Sequence, residues 1–280
     1  MDLQYKNKAY LHAMEFESVY DYSEQYKVEG NPTVWKYMNL NKLDSLLKDK
    51  AMFFAKPNAF VDPLEGSYSN WDIKQLNEYT ELPFINSREE MRKIQEFSAI
   101  SCWHINEHES AGMWDLYLSG NDGVAIKTDY RSLINSITDL RYRVFSGNMQ
   151  YIDFHKEMTS KNIYDTLFYK RKSFSHENEL RLMVIASRID QNHLEVEFES
   201  ERVPSDEWDE KMEKLEEQSY EFSHGKGNLV SCDLNKLIHG IYVSPKSSQE
   251  VVEQVKSMVS KHGFSTDKVI QSDLYEDFIY

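Results

Sequence analysis

Short apolar runs separated by amphipathic segments recur along most of this chain. TVWKYM (33–38) and AMFFA (51–55) have the length and composition of strands. Between them, after Asn39 or Asn41 as a helix cap, leucines recur at helical spacing at Leu40, Leu43, Leu46 and Leu47. The pattern therefore predicts a strand, a helix and a second strand in succession.

The rest of the chain mixes both kinds of element. Further strands are predicted at 97–103, 124–128, 180–187, 194–199, 229–234, 240–245 and 268–273, and 143–152 is predicted to be a further strand or a hairpin. Helices are predicted at 69–97, 109–118, 157–171 and 248–263. Because strands and helices do not alternate regularly, we expect an α+β fold with a mixed, mainly antiparallel central sheet and flanking helices.

The domain organisation follows from composition. Residues 1–32 are polar and tyrosine-rich and are interpreted as an N-terminal lead-in segment. Ten glycines and six prolines in 280 residues argue against long linkers, so 33–280 is expected to form a single domain. Within it, 200–226 is densely acidic and is interpreted as a solvated helical insertion, with an acidic partner-binding segment as the alternative.

Charge and cysteine content narrow the class of protein. The net charge of −15 disfavours sequence-independent binding to duplex DNA, which needs a basic surface. Cys102 and Cys232 each lie in an apolar run and are expected to be reduced core residues. No leader-like N-terminus and no long apolar run is present, so a cytoplasmic protein without a membrane segment is expected.

The stretch SCWHINEHESAGMWDLY (101–117) concentrates residues that can carry chemistry. His104 and His108 are four apart, but the H-E-x-x-H pattern of zinc proteases is missing, so ordinary loop histidines are favoured. Cys102 and His104 share one face of the predicted strand and could form a nucleophile–base pair. No basic patch or helix N-terminus is near to lower the thiol pKa, so a buried structural thiol is favoured.

A second constellation is SFSHENELRL (173–182). Glu177 and Glu179 lead into a predicted strand, so their carboxylates should project from one face together with Arg181. The arginine would keep one carboxylate ionised and oriented while the other stays free for a substrate. The alternative is a salt-bridged strand end at the surface without further function.

Four stretches together resemble one known family. They contain an F-x-D-P-x-E-G loop (60–66), S-C-W-H followed by E-S-x-x-M-W-x-x-Y (101–117), Y-K-R followed by E-x-E-x-R (169–181), and the closing IYVSPKS and VIQSDLY. The combination is similar to an uncharacterised bacterial domain-of-unknown-function family often met near phage-defence and abortive-infection genes. The resemblance covers about 34–280 and implies membership, without a settled biochemical activity.

The order of parts also resembles, faintly, the ADP-ribosyltransferase core. That core has a basic residue on its first strand, a serine on its second, and a late strand that opens with E-x-E. These roles would fall to Lys36, to Ser101, and to Glu177 with Glu179. The resemblance implies that Lys36 holds the NAD diphosphate, Ser101 the nicotinamide ribose, and one glutamate the ribose hydroxyl and the developing positive charge.

The candidate site follows from this resemblance. The catalytic candidates are Glu179 and Glu177, and no metal ligand is assigned. The cofactor-binding candidates are Lys36, Tyr37, Ser101, Trp103, Asp62, Glu65 and Arg181. Trp114 is a further stacking candidate, and weaker rim candidates are His104, Asn106 and Glu109.

The leading functional hypothesis is an ADP-ribosyltransferase-like enzyme that uses NAD to modify a macromolecule or hydrolyses NAD, as a toxin or effector in anti-phage defence. A protein partner or antitoxin and a macromolecular acceptor would be its partners. One alternative is a non-enzymatic sensor or adaptor in which the E-x-E-x-R strand is a structural ion-pair network. A weaker alternative is a metal-dependent nuclease that uses Asp62, Glu65, Glu177 and Glu179.

Overall fold

The described part of the chain comprises most of the expected domain. The structure, a computed structural model, describes residues 26–78, 95–118, 120–139, 142, 144–159, 163–185, 222 and 225–276. Most of the lead-in segment, the strand predicted at 194–199 and nearly all of the acidic segment lie outside the described residues. The predictions made for those segments therefore stay predictions.

Eleven strands are present in the described ranges. They are β1 Thr33–Met38, β2 Ala51–Ala55, β3 Ser98–Ile105, β4 Val124–Asp129, β5 Val144–Asn148, β6 Gln150–Ile152, β7 Tyr169–Arg171, β8 Glu179–Ile185, β9 Gly227–Ser231, β10 Gly240–Val243 and β11 Val269–Gln271. The α-helices are α1 Leu40–Asp49, α2 Asn70–Glu78, α3 Ala111–Tyr117, α4 Tyr130–Ser136, α5 Leu234–Leu237 and α6 Gln249–Lys261. Short 3-10 helices span Pro57–Ala59, Ile163–Phe168, Lys172–Glu177 and Thr266–Lys268.

One nine-stranded sheet organises these residues. Its order is β11-β10-β4-β1-β3-β2-β9, and β8 pairs with both β3 and β5. Every pairing in it is antiparallel except β10 with β11. β6 and β7 form a separate parallel pair. The expected α+β class, with a mixed, mainly antiparallel central sheet and flanking helices, is confirmed.

Alternation along the strands divides the sheet into two different faces. Val34 and Met38 of β1 join the main apolar core, which also contains residues of α1, α4, α5 and α6. Trp35 and Tyr37 point to the opposite face, where they pack with residues of α3. We call the first the helix face, because four helices cover it, and the second the aromatic face.

The prediction of a helix at 157–171 is wrong. The chain there forms a 3-10 helix and then β7, whose Tyr169 pairs with Gln150 of β6. Leu167 and Phe168 are fully buried in a second apolar cluster. Burial and pairing with β6 override a helical preference that is weak in any case, since helix propensities are only tenths of a kcal/mol per residue.

In the described ranges, no helix has the length and apolar character needed to cross a membrane.

Candidate functional site

Five charged side chains meet on the aromatic face, and we call them the carboxylate–cation cluster: Glu65, Lys170, Glu177, Glu179 and Arg181. The Lys170 ammonium donates to Glu177 Oε2 at 2.7 Å and to Glu179 Oε2 at 3.4 Å. Its Nζ also lies 3.9 Å from Glu65 Oε2. One cation therefore holds three carboxylates from two segments of the chain: Glu65 from the loop at 60–66, and Glu177 and Glu179 from the turn before β8.

Arg181 binds two of the same carboxylates from within β8. Its Nε donates to Glu179 Oε1 at 2.7 Å, and Nη2 pairs with Glu65 Oε1. Its remaining terminal nitrogen, Nη1, donates to the carbonyl of Leu167. A buried guanidinium is costly unless its donors are satisfied, and here each of its nitrogens has an acceptor.

The cluster has a dry side and an edge close to solvent. The side chain of Arg181 is 0% exposed, whereas those of Lys170 and Glu177 are 8% and 7% exposed. Burial by itself raises the pKa of Glu179. The charges of Arg181 and Lys170 lower it by more than burial raises it, so the pKa lies below its usual range. Glu179 is therefore an ionised carboxylate at neutral pH, and Glu177 is the carboxylate nearer to water.

The charges of the cluster do not cancel. Three carboxylates face two cations, which leaves one excess negative charge if every group is ionised. Uncompensated charge in a largely buried site is unfavourable, so such a site tends to bind a cation or a proton. Either outcome is useful in catalysis, the first for a cationic transition state and the second for general acid chemistry.

The F-V-D-P-L-E-G loop brings Glu65 to Arg181 through local turn chemistry. Asp62 Oδ1 accepts from the Leu64 amide at 3.0 Å, and the Glu65 amide donates to the Asp62 carbonyl at 3.1 Å. Gly66 has φ +73°, and a Cβ there would lie 2.7 Å from Leu167 Cδ2. Only glycine fits both the left-handed backbone and this close approach.

Asp62 itself binds a cation at the rim. Arg171 donates from Nε to Asp62 Oδ2 at 3.0 Å, and its Nη2 lies 2.9 Å from Oδ1, which is a two-pronged guanidinium–carboxylate pair. The Arg171 side chain is 41% exposed, and its guanidinium lies 5.3 Å from the Phe174 ring centre. Arg171 is thus a cation that a ligand can reach beside the cluster.

The turn from Glu177 to Glu179 differs from the expected continuous strand. Glu177 ends a 3-10 helix, Asn178 is left-handed at φ 37°, ψ 61°, and Glu179 begins β8. Asn is one of the few residues that adopt this conformation readily. Its side chain donates to the carbonyl of Ile105 at 2.8 Å. Both glutamates do lead into β8 as predicted, but Glu177 precedes the strand instead of belonging to it, and the turn directs both carboxylates to Lys170.

The structure brings together part of the predicted site and separates the rest. Asp62, Glu65, Glu177, Glu179 and Arg181 converge as described above. Tyr37 is on the same face but packs edge-on against Trp114, and its hydroxyl accepts from the Ser110 amide. The weaker rim candidate Glu109 accepts a hydrogen bond from Trp114 Nε1 at 2.8 Å, and Asn106 accepts one from Trp35 Nε1 at 2.9 Å through its carbonyl.

Lys36, Ser101 and Trp103 belong to the helix face. Trp103 lies in the main apolar core, and its β3 neighbour Cys102 packs with the opposite cluster. Lys36 donates to Ser101 Oγ at 2.9 Å and lies 5.3 Å from the Trp103 ring centre. β3 pairs with both β1 and β8, but these three side chains do not point toward Glu179. The order of the strands in the sheet does not fix the face on which a side chain lies. That face depends on the alternation of side chains along each strand.

The buried position of Lys36 has a structural explanation. β1 pairs with β3 at His104 and Ile105, whereas β2 pairs with the same edge of β3 at Ile100. In the described chain neither strand pairs with the residues between, and Lys36 Nζ donates to the Cys102 carbonyl in this gap at 3.0 Å. The ammonium therefore replaces a ladder hydrogen bond where the sheet forks.

Lys36 predicts a specific pH dependence of stability. Burial lowers its pKa from 10.5 to about 8, so between these pH values the unfolded chain binds more protons and stability rises with pH. Lys36→Met cannot titrate at this position. The unfolding free energy of the wild type minus that of the variant should therefore increase by about 2 kcal/mol from pH 7 to pH 10. Urea titrations at both pH values measure it, and parallel pH curves for the two proteins would contradict it.

The cysteine hypothesis has a clear outcome. Both Cys102 and Cys232 are free, as expected. Burial raises the pKa of the Cys102 thiol well above its ordinary value, which supports a structural thiol. Among the described residues no three His, Cys, Asp or Glu side chains are arranged to hold a metal ion. Glu65, Glu177 and Glu179 are each engaged by Lys170 or Arg181 instead.

Sequence reasoning missed the two cations at Lys170 and Arg171. The signal available was the run YKR (169–171), which lies shortly before E-x-E-x-R. It fell inside a segment interpreted as helix. In β7 adjacent side chains point to opposite sides, and Lys170 contacts Glu177 while Arg171 contacts Asp62.

Comparison with known proteins adds no relative: no family model, no curated protein and no solved structure gives a significant match.

Proposed function

We propose that this protein is an enzyme of the ADP-ribosyltransferase or NAD-hydrolase type, with its active centre at the carboxylate–cation cluster. In this proposal the bond between nicotinamide nitrogen and ribose C1′ breaks, and its electron pair neutralises the pyridinium. Water or an acceptor nucleophile then forms the new bond at C1′ and gives up a proton. The fold would be an ADP-ribosyltransferase-like variant of the antiparallel sheet.

The observation that carries the proposal is the pair Glu179 and Glu177 on one ammonium. Glu179 is kept ionised by Arg181 and Lys170 in a buried position. A fixed carboxylate in a water-poor site stabilises an oxocarbenium-like transition state far better than one in bulk water. Glu177, nearer to solvent, is placed to take the proton of the incoming nucleophile.

The excess negative charge also favours this chemistry over anion binding. A nicotinamide ring that is still attached to ribose is a cation, and the ribose becomes cationic as the bond breaks. Both states suit a cluster with more carboxylates than cations. The exposed Arg171 would then hold the diphosphate, the role that the resemblance assigned to Lys36.

Glu177→Gln is the most informative substitution, because Glu177 does not bind Arg181. We expect the purified full chain to consume labelled NAD, alone or with cell extract as the acceptor source. Glu177→Gln should lower the rate at least about 100-fold, the usual scale for loss of a charged catalytic group. The readout is release of labelled nicotinamide.

Glu157→Gln is the matched control. Glu157 is a glutamate that also binds a lysine, Lys172, but its side chain is 43% exposed. This variant should retain wild-type turnover. If the wild type consumes no NAD and shows no NAD-dependent thermal shift, alone or with extract, the proposal fails. Equal turnover by Glu177→Gln and the wild type would remove Glu177 from the mechanism.

A second candidate function rests on the completeness of the ion pairs. Every carboxylate of the cluster binds a cation, as in a structural network that holds a sensor or adaptor domain together. On this hypothesis Glu177→Gln changes function only in proportion to the amount of folded protein. Thermal denaturation measured beside activity separates the two candidates.

The biological setting is part of the proposal and rests on the family resemblance alone. It would be that of a cytoplasmic toxin or effector in anti-phage defence, with a macromolecular acceptor and a protein partner that restrains it. Loss of growth on expression, relieved by Glu177→Gln, would support this setting.

A further inference from the structure

His104 lies beside the carboxylate–cation cluster on the neighbouring strand. In the pairing of β3 with β8 it is directly opposite Glu179. Its Nδ1 lies 2.6 Å from the backbone carbonyl oxygen of Glu177. The ring also faces Tyr37, with 6.3 Å between ring centres. His104 therefore touches the turn that carries both candidate catalytic glutamates.

The Glu177 carbonyl determines the tautomer of this histidine. A carbonyl oxygen only accepts hydrogen bonds, so Nδ1 must carry the hydrogen. Burial lowers the pKa of the imidazole, although the Glu177 carbonyl opposes this, and the ring is neutral at pH 7. In the neutral ring with a hydrogen on Nδ1, Nε2 is a bare acceptor.

Within the described part of the chain that acceptor has no donor. His104 Nε2 is buried, and none of the described residues offers it a hydrogen-bond partner. Trp103 Nε1 on the same strand also lacks a partner among the described residues, but it belongs to the helix face. Leaving a buried acceptor unsatisfied costs free energy, and in native structures such atoms call for an explanation.

We infer that His104 Nε2 is a ligand-binding atom that accepts a hydrogen bond from a hydroxyl or amide N–H of the substrate. The inference rests on the proposed function for the identity of the substrate and adds a requirement to it. Glu65, Glu177, Glu179 and His104 are all acceptors, so the molecule bound here must present several donors near a cationic centre. A ribosyl nicotinamide has both, because its sugar hydroxyls and carboxamide are donors and its pyridinium ring is cationic.

The inference requires that a ligand displace a side chain to reach the buried His104 Nε2. Tyr117 is suited to this, because its residue is 43% exposed and lies at the end of the short helix α3. Burial raises the pKa of the Tyr117 hydroxyl, and so do the Cys102 thiol and the charges of Glu177 and Glu179.

Two substitutions separate the ring nitrogens of His104. The amide nitrogen of Asn can replace Nδ1–H as donor to the Glu177 carbonyl, but nothing replaces Nε2. The longer Gln places its amide near the position of Nε2 and leaves the Glu177 carbonyl without its donor. We expect His104→Asn to retain the wild-type melting temperature and to bind NAD about tenfold more weakly, the scale of one lost hydrogen bond. His104→Gln should keep more of the affinity and lose stability.

The direct test is ¹⁵N NMR of the histidine side chains in the full chain, with His104→Asn used to assign the His104 signals. Nicotinamide, ribose and NAD are titrated separately. Accepting a hydrogen bond should move the Nε2 resonance upfield with at least one of these probes. If none of them moves it, the inference is overturned, whether or not NAD is consumed.

The outcomes distinguish this inference from the proposed function. NAD turnover with an unchanged Nε2 resonance, or with unchanged affinity in His104→Asn, overturns the role of His104 and leaves the enzyme proposal standing. A ribose- or nicotinamide-dependent shift without NAD turnover supports the role of His104 and contradicts the proposed NAD-consuming activity. If neither NAD turnover nor a shift of the Nε2 resonance is observed, both proposals are contradicted.

Discussion

Arg181→Met is expected to lower the free energy of unfolding by about 3–5 kcal/mol, because it leaves buried carboxylates without their main cation. Arg181 is fully buried and binds both Glu179 and Glu65. After the substitution, Lys170 alone would face three carboxylates. Urea unfolding at pH 7, followed by circular dichroism, measures the loss.

The control for this substitution is Arg131→Met. Arg131 is exposed on α4, and an exposed substitution of this kind changes stability by less than about 0.5 kcal/mol. A loss of less than about 1 kcal/mol in Arg181→Met would show that the cluster is not the buried charge network described here. Protonation of the carboxylates in the variant would then be the explanation to test. Repeating the unfolding measurement at pH 5 would test it.

Replacing the dry side of the cluster by apolar residues is expected to restore stability and abolish activity. In the triple variant Glu65→Met, Glu179→Met, Arg181→Met, the pair of Lys170 with Glu177 remains and carries no net charge. Buried ion networks replaced by apolar side chains of similar volume are often as stable as the originals. The triple variant should therefore regain at least about 2 kcal/mol relative to Arg181→Met.

Activity in the triple variant separates the two candidate functions. A folded and stable triple variant without NAD turnover supports catalysis, because the network is then dispensable for folding and required for function. Retained turnover in a stable triple variant would contradict the proposed role of Glu179. A triple variant no more stable than Arg181→Met would show that the cavity does not accept methionine, and Leu at the same positions would be the next choice.

The elements of the sheet were predictable where the hydrophobic pattern was strong. β1, β2, β3 and β4 lie where the apolar runs predicted them, and α6 lies within the predicted 248–263. The pattern failed at 157–171, where aromatic residues at helical spacing are also compatible with a 3-10 turn and a short strand. Partners distant in sequence, such as β6 for β7, decided that segment.

The candidate site was predictable in part, for a similar reason. The alternation along β3 correctly placed Ser101 and Trp103 on one face and Cys102 and His104 on the other. Of the two acidic residues proposed from the F-x-D-P-x-E-G loop, Glu65 pairs with Arg181 of the E-x-E-x-R strand, whereas Asp62 pairs with Arg171 of β7. The assignment of Lys36 and Ser101 to the same site as Glu179 is not supported by their positions, because these residues point to the helix face.

By itself the sequence determined the strands that have strong apolar runs, which side chains share a face within one strand, and which loop can turn sharply at Gly66, since these properties depend on near neighbours in the chain. Only the tertiary structure decided which face of β1 meets which face of β8, and that Lys170 joins three carboxylates. The physical reason is that strand register and burial depend on partners distant in sequence, and a one-residue change in register exchanges the two faces of a strand.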